Sequence, residues 1–200
     1  MREMLRDKSR DEMAENLTSS GVKAEMADRG KSEEGIRSGS ILLRLFGYQS
    51  LGLIDILDGG LITWINVVRI KRQDRHGPAK YRAVLGIPDE SIPMNHKQLK
   101  MKTVRKKSFP VFGKITDVYW EGKGNLQPLV KVFSDDVDID NAVADLGNMT
   151  VYTHPNKFKG WTLELDSSWH GGRMFVPTES RWATFQKIAN YLLSSHLSTS

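Results

Sequence analysis

Residues 61–85 read LITWINVVRIKRQDRHGPAKYRAVL, and the fold follows from them. Leu61–Arg72 is rich in β-branched side chains and runs from apolar to basic, as expected of a strand whose first half is buried and whose end emerges into solvent. Gln73–Pro78 supplies turn residues. Ala79–Leu85 is the return strand, with Tyr81, Ala83 and Leu85 on one face and Lys80 and Arg82 on the other. The resulting hairpin gathers Arg69, Lys71, Arg72, Arg75, Lys80 and Arg82 at one end.

Downstream, Ile87–Ser108 reads as a long exposed basic loop with a short helix after Asn95. Pro88, Pro93 and Pro110 punctuate the stretch from Pro88 to Pro110, and Lys97, Lys100, Lys102, Arg105, Lys106 and Lys107 lie between them. Residues 69–114 together hold thirteen Lys or Arg against Asp74, Asp89 and Glu90, so this stretch carries about +10 in a chain whose net charge is +5. Farther on, Val111–Trp120, Leu129–Phe133, Met149–Thr153 and Trp161–Leu165 are predicted strands. Asp136–Leu146 is a helix closed by Gly147, and a final helix starts at a Thr178 or Ser180 cap and runs to about Ser195, burying Trp182, Phe185, Ile188, Ala189 and Leu192.

Upstream, Ile41–Leu57 carries an irregular apolar stripe predicted as a helix, and Asp58-Gly59-Gly60 supplies a turn. Residues 1–40 hold eight basic and nine acidic side chains and almost no β-branched or aromatic ones. That composition predicts a disordered charged arm, in which Met4, Leu5, Met13 and Leu17 could form a transient helix on a partner. The expected organisation is therefore an arm over 1–40 and a single α+β domain over 41–200. That domain has one mainly antiparallel sheet, helices near 41–57, 136–146 and 179–195, and a basic hairpin and loop at 69–114.

Composition narrows the chemistry. With 200 residues, 39% of them hydrophobic, the chain can bury one sizeable core, and with no cysteine it has no disulfide framework, thiolate nucleophile or cysteine-ligated metal. The start, MREMLRDKSRDE, places charges where a secretion signal needs an apolar core, and no later run reaches the roughly 18 apolar residues that span a bilayer. Asp136-x-Asp138-x-Asp140 has the start of a calcium loop, but Asn141 and Gly147 stand where such a loop needs glycine and a bidentate glutamate. These acids are expected to cap the following helix instead. The five histidines lack helical ligand spacing, and Gly122-x-Gly124 lacks the setting of a phosphate loop. No metal, cofactor or small-molecule substrate is expected. The one catalytic alternative is a small hydrolase using His170 in the Gly-rich loop Ser167–Arg173.

The basic stretch points to a polyanion. Its lysines and arginines would neutralise phosphates of RNA or DNA, or meet the headgroups of an anionic membrane. Leu129–Leu146 (LVKVFSDDVDIDNAVADL), read as a strand running into an Asp pair and then a helix, resembles the matrix proteins of rhabdoviruses and related negative-strand RNA viruses. The resemblance implies a basic, non-catalytic structural protein that binds ribonucleoprotein RNA and membrane and forms homo-oligomers. Neither Pro-Pro-x-Tyr nor Pro-Thr/Ser-Ala-Pro, the budding signatures of that family, occurs here, and no site residue carries over. The remaining alternative is a nucleic-acid-binding accessory protein with no membrane role and no sequence preference.

Overall fold

The hairpin forms at the centre of a broad antiparallel sheet. The computed structural model describes residues 8–27, 48–70, 80–93, 97–107, 115–146, 148–154, 158–166 and 176–195. In chain order the strands are β1 (Ala24–Met26), β2 (Tyr48–Ile56), β3 (Trp64–Ile70), β4 (Lys80–Pro88), β5 (Lys100–Lys107), β6 (Ile115–Gly122), β7 (Asn148–His154) and β8 (Gly160–Asp166). They form one sheet in the order β1-β2-β3-β4-β8-β7-β5-β6, with every pair antiparallel. The helices are α1 (Ser9–Ser19), α2 (Gln127–Asp135), α3 (Val137–Leu146) and α4 (Glu179–Ser194). The α+β expectation with a single antiparallel sheet therefore holds.

Strand alternation assigns the faces. Ile65 and Val67 of β3, Ala83, Leu85 and Ile87 of β4, Trp161, Leu163 and Leu165 of β8, and Met149 and Val151 of β7 lie in register on one side. They join Met13 and Leu17 of α1, Leu129 and Phe133 of α2, Ile139 and Val143 of α3, and Phe185, Ile188 and Leu192 of α4 in one buried cluster. The helices thus form a second layer, and the other side of the sheet is left without a helix among the described residues. Asp136 ties two of these helices together. It caps α3 by accepting the Asp138 and Ile139 N–H groups at 3.0 and 3.3 Å, and it takes the Lys187 ammonium and Tyr191 hydroxyl of α4 at 2.7 and 2.9 Å. Burial pushes this carboxyl up, but the Lys187 ammonium, the Tyr191 hydroxyl and the Ile139 N–H together outweigh burial and hold its pKa below the ordinary value. Asp136 thus performs the capping role expected of the acidic cluster, and Asp138 and Asp140 lie in the first turn of α3.

Four local expectations are corrected. Residues 48–56 are strand, not helix: both faces are covered, so the apolar positions do not alternate visibly, and a bulge at Gly52 (φ +118°) shifts the register partway along. Residues 129–133 are helical, because Pro128 suits a first turn and Leu129 and Phe133, four apart, are both buried. The expected loop at 87–108 contains β5, whose Met101 and Thr103 are buried while Lys100 and Lys102 are exposed. Finally, residues 9–26 of the expected arm are folded. Met13 and Leu17 enter the core, and the α1 residue Arg10, only 3% exposed, donates to the Ala27 carbonyl at 3.3 Å. The charged composition concealed how few apolar residues suffice when a sheet already offers a surface to cover. Among the described residues, no helix is long and apolar enough to cross a membrane.

Candidate polyanion-binding face

β5 decides which basic side chains share a surface. In an extended strand Lys100, Lys102 and Lys106 project to the side away from the helices, while Met101 and Thr103 turn inward. Neighbouring strands complete that surface. Lys100 stands opposite Tyr152 of β7, Lys102 lies between Thr150 of β7 and Glu121 of β6, and Lys106 faces Asp117 of β6. The Lys100 ammonium sits 5.2 Å from the centroid of the Tyr152 ring, and that of Lys106 sits 5.1 Å from the Tyr119 ring. Lys102 pairs with Glu121 at 3.4 Å and Lys106 with Asp117 at 3.7 Å. Each of these four side chains is about half exposed, so the pairs are solvent-screened and contribute only about 0–1 kcal/mol each. A phosphate can replace such a carboxylate at little cost.

Where β5 begins and β6 ends, the surface dips into an open cleft of about 390 Å³. It is lined by Gln98, Leu99, Lys100, Lys102, Glu121, Gly122 and Lys123. Its floor is fixed. The Leu99 N–H donates to Thr153 Oγ1 at 2.7 Å, the Thr153 N–H donates back to the Leu99 carbonyl at 3.1 Å, and the Gln127 amide donates to the Gly122 carbonyl. Three lysines and one carboxylate border this hollow, so it carries an excess of positive charge.

The other expected residues divide. Arg82 projects to the same side but is held by Glu164 at 2.9 Å and Asp166 at 3.6 Å, with all three side chains mostly covered. Burial raises the Glu164 pKa, and Arg82 and Lys100 pull it back only in part. Arg105 is a correction to the single-platform expectation. It turns toward the helices and donates to the Val143 carbonyl of α3 at 2.7 Å and to Asn148 Oδ1 at 3.0 Å, which makes it a strut of the helix layer. Arg69 alternates with the same inward set and stands opposite Tyr81. Lys80 stands at the start of β4 opposite Ile70, and Lys97 is exposed just ahead of β5. Lys71, Arg72, Arg75 and the Lys107 side chain lie outside the described residues. Register places the end of β3, the start of β4, the end of β5 and the start of β6 at one end of the sheet.

His170 and its loop also lie outside the described residues. His154, on the open face, shares a 2.8 Å hydrogen bond between Nε2 and Thr162 Oγ1, and burial lowers its pKa. Among the described residues no group of three carboxylates or imidazoles is arranged to hold a metal. Sequence reasoning missed Lys123, Tyr119 and Tyr152. Alternation in β7, where Thr150, Tyr152 and His154 interleave with Met149, Val151 and Thr153, carried a signal for Tyr152. Its pairing with Lys100, 52 positions away, is a product of strand order. In comparisons with protein-family models, with curated proteins and with solved structures, nothing matches this chain.

Proposed function

We propose that this is a non-enzymatic structural protein that holds an RNA or ribonucleoprotein polyanion against the open face of its sheet, across β7, β5 and β6. The observation that carries the reading is the cleft in which Lys100, Lys102 and Lys123 converge around a single carboxylate. Lys106, farther along β5 on the same face, extends the cationic track. RNA is favoured over an anionic membrane because lysines and acids alternate across this face. A planar headgroup layer feels the summed charge, which is small here, whereas a flexible phosphate chain engages lysines one at a time. A matrix-like role with self-association is the wider setting of this proposal.

The test is RNA affinity over a salt series. With four lysines engaged, log affinity should fall against log salt with a slope of about −3 for a single strand. Changing Lys100, Lys102 and Lys123 together to Gln should weaken binding by roughly tenfold or more and flatten the slope by about 2. Lys131→Gln, on the exposed side of α2, should leave both unchanged. Equal affinity and slope in the triple variant would refute the reading, and binding confined to anionic vesicles would replace RNA with membrane.

A further inference from the structure

We infer that the polyanion is single-stranded nucleic acid, gripped by its bases as well as its phosphates, with Tyr152 and Tyr119 as the stacking rings; this rests on the reading above and names its ligand class. Both tyrosines come from strands that flank β5, and both lie on the lysine-bearing face. Each ring has a lysine ammonium above it, at 5.2 Å for Tyr152 and 5.1 Å for Tyr119. Tyr119 is 38% exposed, and Tyr152 is partly covered.

The physical argument is an exchange. In the free protein each ammonium rests on the electron-rich face of its ring, a weak interaction at an exposed site. A phosphate approaching Lys100 or Lys106 draws the ammonium away and uncovers the ring, and the base attached to that phosphate then takes the vacated π-face. Base stacking on an aromatic ring outweighs an exposed cation–π contact, and it tolerates any base because every base has a π-face. A duplex cannot make this exchange, since its bases are already stacked on one another. Tyr119 stands opposite Val104 and Tyr152 opposite Lys100. Four residues along β5 and two strand spacings across it put the rings about 17 Å apart, a span of a few unpaired nucleotides with the Lys102 cleft between them. This part of the open face presents Thr150, Lys102, Val104 and Glu121 between the rings, and among the described residues these strands carry no exposed large aliphatic side chain of the kind that anchors a protein in a bilayer.

The experiment compares a fluorescent single-stranded RNA, the same sequence as a duplex, and inorganic polyphosphate of equal charge, each titrated with the full chain. Wild-type protein should bind the single strand about tenfold tighter than the other two. A Tyr152→Leu, Tyr119→Leu double variant should lose roughly tenfold on the single strand and nothing on polyphosphate, and Tyr→Phe at both positions should restore it. As a readout that needs no variant, 4-thiouridine crosslinking of wild-type protein should label peptides containing residue 119 or 152. Equal binding of all three polymers with no effect of either tyrosine overturns the stacking inference and leaves the phosphate reading in place, whereas crosslinks confined to the helix layer overturn both. No binding of any polymer at low salt overturns both.

Discussion

The open face of the sheet is two different surfaces on one continuous backbone. Over β2, β3 and β4 it is sealed: Leu53, Trp64, Val68 and Val84 are each 6% exposed or less and form a second apolar cluster with Ala27 and Phe158. Over β7, β5 and β6 it is wet and charged, with Lys100, Lys102 and Lys106 between Tyr152, Glu121, Asp117 and Tyr119. Arg82, Glu164 and Asp166 mark the seam, where β4 meets β8. The difference teaches that identical strand geometry serves stability in one half and leaves the other half free for recognition, because polar side chains that water already satisfies cost little to keep exposed.

The sealed half should yield the largest stability effects. Trp64 packs edge-on to Phe158 at 5.0 Å and lies against Gly86, where an added Cβ would fall 2.0 Å from its ring. Trp64→Ala is expected to cost about 3–5 kcal/mol, and Gly86→Val should cost about 1–3 kcal/mol through overpacking, both read by denaturant melts. If either is neutral, the apolar cluster is not a stabilising core and the contrast between the halves collapses.

At the seam, Arg82→Ala removes the partner of a mostly covered carboxylate and should cost about 1.5–3 kcal/mol. Burial raises the Glu164 pKa, so the folded state holds its proton to higher pH than the unfolded chain does. Its share of stability therefore increases as pH falls through the folded value toward the ordinary 4.5 and declines as pH rises. Melts of the Arg82→Ala variant at pH 7 and pH 5 should show a larger gain on acidification than wild type, and a smaller gain would break the assignment.

Asp136→Ala, in the helix layer, loses a helix cap and should cost about 1–2 kcal/mol without changing RNA affinity. The depressed pKa of this carboxyl means its contribution is complete above the ordinary value of 3.8 and is lost as pH falls through the folded value, so wild type and variant should converge in acid. The smallest stability change is expected for Glu121→Gln in the wet half, within about 1 kcal/mol. The same substitution frees Lys102 and should tighten RNA binding by about two- to threefold, one exposed ion pair's worth; weakened binding would remove Lys102 from the track.

Much of the scaffold was legible because it rested on local patterns. The alternation of Trp161, Leu163 and Leu165, the Thr178 cap with its Arg181 N–H bond at 3.3 Å, and the β3–β4 hairpin all appear where the residues indicated. The misreadings share a cause. The stripe around Gly52, the apolar run Leu129–Phe133 and the lysines of β5 misled because composition was read without the neighbours that turn them into a bulged strand, a helix after Pro128 and a solvent-facing row. For the site, the reading of β5 as loop hid the alternation that sends Lys102 outward and Arg105 to the carbonyl of Val143.

By itself the amino-acid order determined that the chain is a basic α+β protein with one antiparallel sheet, because side-chain period, turn chemistry and charge are properties of neighbouring positions. Only the tertiary structure decided that Lys100 and Tyr152, Lys106 and Tyr119, and Lys102 and Lys123 share a surface while Arg105 does not. Strand order and register are fixed by which faces must be buried together, and that is settled by the whole sheet closing over its helices, not by any one segment.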